Sequence, residues 1–179
     1  MRELVNAKRL QEFLEVLGRE MHSPCTLYLV GGTSLIFFGL REQTTDIDLK
    51  LEVDNRHHQK LIETIRRLKE ELHLNIEEAN PGDFIPLPKG WKDRSLYLGK
   101  FGPVTVFHFD LYSSALSKIE RGNEVDFDDV ISLLKNGRVE WNQLEKYYDE
   151  ILPLYGKESL KQDPEQIRRN FGILKRRYS

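Results

Sequence analysis

The chain has 179 residues, with 27 Lys and Arg against 29 Asp and Glu, a formal net charge of −2 and a sequence pI of about 6.2. That balance excludes a surface given over wholly to nucleic acid, so any polyanion must meet a local patch. With 39% hydrophobic and 31% charged residues, the chain has material for both a core and a solvated exterior, which excludes global disorder.

The opening stretch, MRELVNAKRLQEFLEVLGRE, scatters charge at helical spacing and lacks the continuous apolar core of an export signal. Leu4, Leu10, Phe13, Leu14 and Leu17 share one face of a predicted helix, expected to cover a sheet. Cys25 is the single cysteine, which excludes an intrachain disulfide and a cysteine-cluster zinc site. Its apolar neighbourhood fits a buried thiol in the reducing cytoplasm. The run Thr26 to Val30 is β-prone and ends at Gly31-Gly32, after which Thr33 is expected to cap a helix through Phe38 to Gly39. The longest apolar runs, Leu27 to Val30 and Leu35 to Phe38, fall far short of the roughly 20 residues that cross a bilayer, so no membrane partner is expected.

From Thr45 the residues alternate. Thr45, Ile47, Leu49, Leu51 and Val53 point one way and Asp46, Asp48, Lys50 and Glu52 the other, as on a half-buried strand. Asp54 then caps a predicted helix with Leu61, Ile62, Ile65, Leu68 and Leu72 on its apolar face, and Leu74 to Glu77 begins another strand. Asn80 to Ser95 holds three prolines and two glycines and reads as a long irregular loop presenting Trp91, Lys92 and Arg94, residues suited to stacking a base and steering phosphates. Strands Leu96 to Phe101 and Val104 to Tyr112 follow as a hairpin across Gly102-Pro103.

Beyond Ser113 the pattern is helical, around Ser114 to Arg121, Asp126 to Lys135, Trp141 to Leu152 and Pro164 to Tyr178, with Asp126 and Asp163 as expected caps. The reading is an α+β chain with a mixed sheet flanked by helices. Residues 1–136 form the main domain, and 137–179 a C-terminal helical extension packed on it. From Lys157 onward seven basic residues oppose three acidic ones, +4 against −6 for the remainder, a surface for nucleic acid or an acidic partner or simply a solvated end.

Asp46 and Asp48, two apart on a strand, project carboxylates from one face with Cα atoms roughly 6.5 to 7 Å apart. A hard divalent cation, Mg²⁺ or Mn²⁺, would relieve their repulsion and keep positions open for phosphate. An edge strand with a polar solvent face shows the same spelling. Gly31-Gly32-Thr33-Ser34 stands at a strand-to-helix turn, where absent Cβ atoms let backbone approach a phosphate and Ser34 adds a hydroxyl. It matches neither the P-loop nor the dinucleotide fingerprint. Arg41, just before the strand, is a cationic candidate for phosphate. His22, His57, His58 and His73 lack metal-ligand spacing and read as surface groups.

YLVGGTSLIFFGLREQTTDIDLKLEV resembles the nucleotidyltransferase superfamily of DNA polymerase β, in its minimal branch. There a Gly-Gly or Gly-Ser turn precedes Asp-x-Asp by about a dozen residues, and here Ser34 and Asp46 stand twelve positions apart. The fuller string through Arg41, Thr44 and Asp46-Ile-Asp48 is similar to AbiEii-like toxin-antitoxin nucleotidyltransferases. SKIERGNEVDFDDVISLL resembles their Lys followed by an Asp-rich helix, which carries over to Lys118, Asp126 and Asp129.

The resemblance implies a third carboxylate on a neighbouring strand, for which Asp110 is the candidate, with His108 as a neighbour of the site; the residues read equally as a strand-end carboxylate at Asp110 that caps a helix from Ser113 onwards. It implies that Asp46, Asp48 and Asp110 hold the metal and carry catalysis, and that Gly31, Gly32, Ser34, Arg41 and Lys118 bind nucleotide. The activity implied is Mg²⁺-dependent transfer of a nucleoside monophosphate from a nucleoside triphosphate to a protein or RNA acceptor, with a toxin-antitoxin partner protein as the setting that the AbiEii-like likeness implies. A binding module that has lost catalysis is the alternative.

Overall fold

A computed structural model describes residues 3–157 and 162–179, so Glu158 and Lys161 of the basic tail lie outside the described residues. The chain divides into two units, residues 1–79 with 95–109 and residues 80–94 with 110–179. This differs from the expected division after 136, because the helices from 111 to 135 pack with those that follow them.

The first unit is built on helix α1 (Ala7–Glu20), strand β1 (Cys25–Val30), helix α2 (Gly32–Phe37), strand β2 (Asp46–Val53), helix α3 (Asn55–Glu71), and strands β3 (Asn75–Glu78), β4 (Leu96–Phe101) and β5 (Val104–His108). The sheet runs β3-β2-β1-β5-β4. β1 is antiparallel to β2 and parallel to β5, and the remaining pairs make the sheet mixed, as expected. One face is closed by α1 and α3. Leu10, Phe13, Leu14 and Leu17 of α1 and Leu61, Ile65 and Leu68 of α3 pack on Leu27, Leu29, Ile47, Leu49, Ile76, Val104 and Val106. α1 begins later than its apolar pattern, capped by Asn6, because Val5 leaves the helix line to bridge Thr44 and Leu4 stays exposed.

β2 alternates as expected, with Ile47 and Leu49 buried in the core and Asp46, Asp48 and Lys50 half-buried on the other face. On that second face Tyr28 stacks on Phe107 at 5.6 Å and Phe107 meets Tyr97 edge-on at 5.8 Å, while the Tyr28 hydroxyl donates to Glu52.

The second unit carries a 3-10 turn (Pro81–Asp83), a short helix α4 (Trp91–Arg94), and helices α5 (Leu111–Arg121), α6 (Glu124–Lys135), α7 (Trp141–Ile151) and α8 (Pro164–Tyr178). The segment expected to be one irregular loop is therefore partly helical, and Pro81, Ile85, Pro86 and Pro88 are buried. α5 packs on α6, α7 and α8. α6 starts earlier than expected. Asn123 is its cap, accepting from the Asp126 N–H, while Asp126 sits in the first turn with its carboxylate on Arg121. Asp163 caps α8 as read, accepting from the N–H groups of Glu165 and Gln166.

Candidate active site

β1 and β2 pair as far as Val30 and Asp48, and β1 then turns at Gly31 into α2. Gly31 has φ 62° and ψ −138°, a conformation that disfavours any side chain. A Cβ there would stand 3.0 Å from Oδ2 of Asp48. The absent side chain is the space in which that carboxylate lies.

Gly32 is buried, and a Cβ on it would stand 2.6 Å from Nη1 of Arg41 and 2.9 Å from Oγ1 of Thr44. The turn, Arg41 and the Asp-x-Asp strand thus meet at one place. Asp46 accepts from Oγ1 of Thr45 at 2.7 Å and from the Asn75 amide on β3.

The two hydroxyls after the glycines turn inward. Thr33 is fully buried and does not cap α2: its Oγ1 accepts from the Asp48 N–H at 3.1 Å and donates to the Asp46 carbonyl at 3.3 Å. Ser34, also buried, donates to the Leu29 carbonyl at 2.8 Å. With that hydrogen committed, its oxygen can only accept from Nδ1 of His108, 3.3 Å away. His108 packs against Phe37 and Phe38, and burial pushes its pKa down to about 4, so the ring is neutral near pH 7.

Asp110 and Lys118 belong to the second unit and are engaged within it. The strand expected to run to Tyr112 ends at His108, and Asp110 caps α5 instead, accepting from the N–H groups of Tyr112 and Ser113 and from Oγ of Ser113 at 2.7 Å. Its carboxylate is 1% exposed and takes a two-pronged ion pair from Arg94, Nε to Oδ1 at 3.1 Å and Nη2 to Oδ2 at 2.8 Å. Arg94 lies over the Tyr147 ring at 4.2 Å. Lys118 is buried with Nζ 2.7 Å from Asp129 and 3.6 Å from Asp126.

A family model described as "Nucleotidyltransferase of unknown function (DUF6036)" matches residues 6–177. The chain belongs to this family. No curated protein and no solved structure matches it. A nucleotidyltransferase uses a nucleotide substrate, and among the described residues no helix is long and apolar enough to cross a membrane.

Divalent metal, which the superfamily resemblance implies for such a nucleotidyltransferase, can be tested against the residues present. Among the described residues no three of His, Cys, Asp and Glu gather as a metal-holding group. Asp46 and Asp48 nevertheless offer hard carboxylate oxygens from one strand face, with the Gly31 cradle beside them. An ion that travels with a nucleotide takes one or two carboxylates from the protein and completes its shell from phosphate oxygens and water, so this pair fits Mg²⁺ or Mn²⁺.

Thr33, Thr45 and Asn75 are contributors that sequence reasoning missed. The Thr-Thr pair before Asp46 and the hydroxyl after Gly-Gly were visible, but their partners are set by strand register and by β3.

Proposed function

We propose that the chain transfers a nucleoside monophosphate from a nucleoside triphosphate to a protein or RNA acceptor, with Mg²⁺ or Mn²⁺ held by Asp46 and Asp48. One observation carries the reading: the two carboxylates share a strand face beside a turn whose missing Cβ atoms leave room for Asp48 and Arg41. In the reaction the acceptor hydroxyl oxygen bonds to the α-phosphorus, the bond to the bridging oxygen breaks, pyrophosphate leaves, and the hydroxyl proton passes to solvent or a base.

Asp46 and Asp48 would hold the divalent ion, which would supply neutralisation of phosphate charge and a more acidic acceptor hydroxyl. The residues of the chain orient the rest. Gly31 and Gly32 let the Asp48 carboxylate and Arg41 close onto the turn, and Arg41 supplies the positive charge that meets phosphate there. Thr33 and Ser34 tie the turn to β2 and β1 through their buried hydroxyls.

The superfamily resemblance gives Asp110 a part as shared ligand or base. Its carboxylate is committed to Arg94 and the α5 cap, so the proposal is written on Asp46 and Asp48 and leaves Asp110 to a test of its own. The likeness of the Gly31-to-Asp48 stretch to AbiEii-like enzymes supports a toxin-antitoxin setting with a partner protein. The test is incubation with each labelled nucleoside triphosphate, Mg²⁺ or Mn²⁺, and total RNA or lysate. Covalent label on a nuclease- or protease-sensitive acceptor, lost in Asp46→Asn with Asp48→Asn, supports the proposal. Label bound but never transferred supports the binding module instead.

A further inference from the structure

We propose that Thr33 is a positioning residue that fixes the common orientation of the Asp46 and Asp48 carboxylates, an inference that rests on the metal assignment above. β1 keeps pace with β2 only to the Val30–Asp48 pair, because Gly31 bends the chain into α2. β2 runs two residues further, to Asp46. Backbone groups two apart on a strand point to the same side, so the Asp46 carbonyl and the Asp48 N–H both face the place β1 has vacated.

Thr33 fills that place from the first turn of α2. Its single hydroxyl does the work of the missing peptide group, accepting from the Asp48 N–H at 3.1 Å and donating to the Asp46 carbonyl at 3.3 Å. Between these two points Ile47 is fully buried in the core on the opposite face. The segment is thus pinned at both ends by one oxygen and in the middle by apolar packing, which leaves both aspartate side chains on one remaining face. Thr33 is itself fully buried, so water does not stand in for a lost hydroxyl there. Groups that hold metal ligands without touching the metal commonly change affinity by 10- to 100-fold when removed, roughly the size of effect sought here.

The test compares Thr33→Val, which keeps the shape and removes the hydroxyl, with Thr33→Ser, which keeps the hydroxyl. Mn²⁺ affinity is measured by calorimetry on the full chain, beside thermal unfolding. The expected result is Mn²⁺ binding weakened about tenfold or more in Thr33→Val and restored to within about twofold of the parent in Thr33→Ser. A purely structural threonine would lower the unfolding temperature of both variants and leave Mn²⁺ affinity unchanged, which overturns the inference. Equal weakening in both variants overturns it too. Should Thr33→Val fail to fold, Thr33→Ala against Thr33→Ser is judged by the same criteria. Failure of the metal assignment shows separately, as a parent chain that does not bind Mn²⁺ or an Asp46→Asn, Asp48→Asn chain that still does, and this inference falls with it.

Discussion

Gly31 meets two demands at once, a backbone at φ 62° and an empty space against Oδ2 of Asp48. Gly31→Ala strains the first and fills the second. We expect it to lower stability by about 1 to 3 kcal/mol in urea unfolding and to weaken Mn²⁺ binding in calorimetry. Mn²⁺ affinity equal to that of the parent would show that the cradle does not serve the carboxylate. At this scale the sequence was informative about residue type and poor about partners. The double glycine announced a turn and Asp-x-Asp announced a shared face, because both follow from local backbone geometry. The places of Arg41 and Thr44 over Gly32 depend on how the connection from α2 to β2 folds back. Ser34, read as a phosphate hydroxyl, is seen to be engaged by the Leu29 carbonyl five residues back and by His108, the latter a contact that only the β1–β5 pairing creates. Cys25 was readable as a buried thiol, and burial pushes its pKa up to about 11.

Among the elements, the β5-to-α5 junction departs from the strand bounds read in the sequence and takes the capping alternative for Asp110. Alternation suggested a strand continuing to Tyr112, but Asp110 offers its carboxylate to the N–H groups of Tyr112 and Ser113 and starts a helix there. A capping side chain outcompetes a continued ladder when it satisfies orphan donors locally. Asp110→Ala removes the cap and leaves Arg94, 22% exposed on its side chain, without its partner. The expected cost is about 2 to 4 kcal/mol in urea unfolding, with Asp110→Asn milder because its amide oxygen can still cap. A cost under about 0.5 kcal/mol for Asp110→Ala would contradict this structural role. The milder variant is therefore the one in which transfer activity reports on catalysis. For α6 the sequence named Asp126 as cap because it precedes the apolar run. The cap is Asn123, three residues earlier, and the Asp126 carboxylate is turned to Arg121 and Lys118, partners on the preceding helix.

For the molecule as a whole, the α+β class was readable from the order of patterns, whereas the division into two units was not. Residues 80–94 group with the C-terminal helices across a gap in sequence that no local signal marks. Nor did the sequence single out Glu120, which is 4% exposed in the second unit. Tyr155 donates to its carboxylate at 3.2 Å, and burial raises its pKa from 4.5 to about 7 against the lowering effect of that bond. A carboxyl with a folded value above its unfolded one holds its proton longer when folded. Its contribution is complete below pH 4.5 and declines as pH rises through about 7. Glu120→Gln should remove this slope and leave the chain more stable than the parent at pH 8, by about 1 kcal/mol or more in urea unfolding. Parallel pH profiles for the two chains would contradict it.

The central claim is nucleotidyl transfer at Asp46 and Asp48, and the most direct measurement counts both products of the reaction. With labelled triphosphate, divalent metal and an acceptor that takes label, one pyrophosphate should appear for each nucleoside monophosphate incorporated, and both should vanish in Asp46→Asn with Asp48→Asn. Release of inorganic phosphate without incorporation, or undiminished transfer by the double variant, would contradict the account.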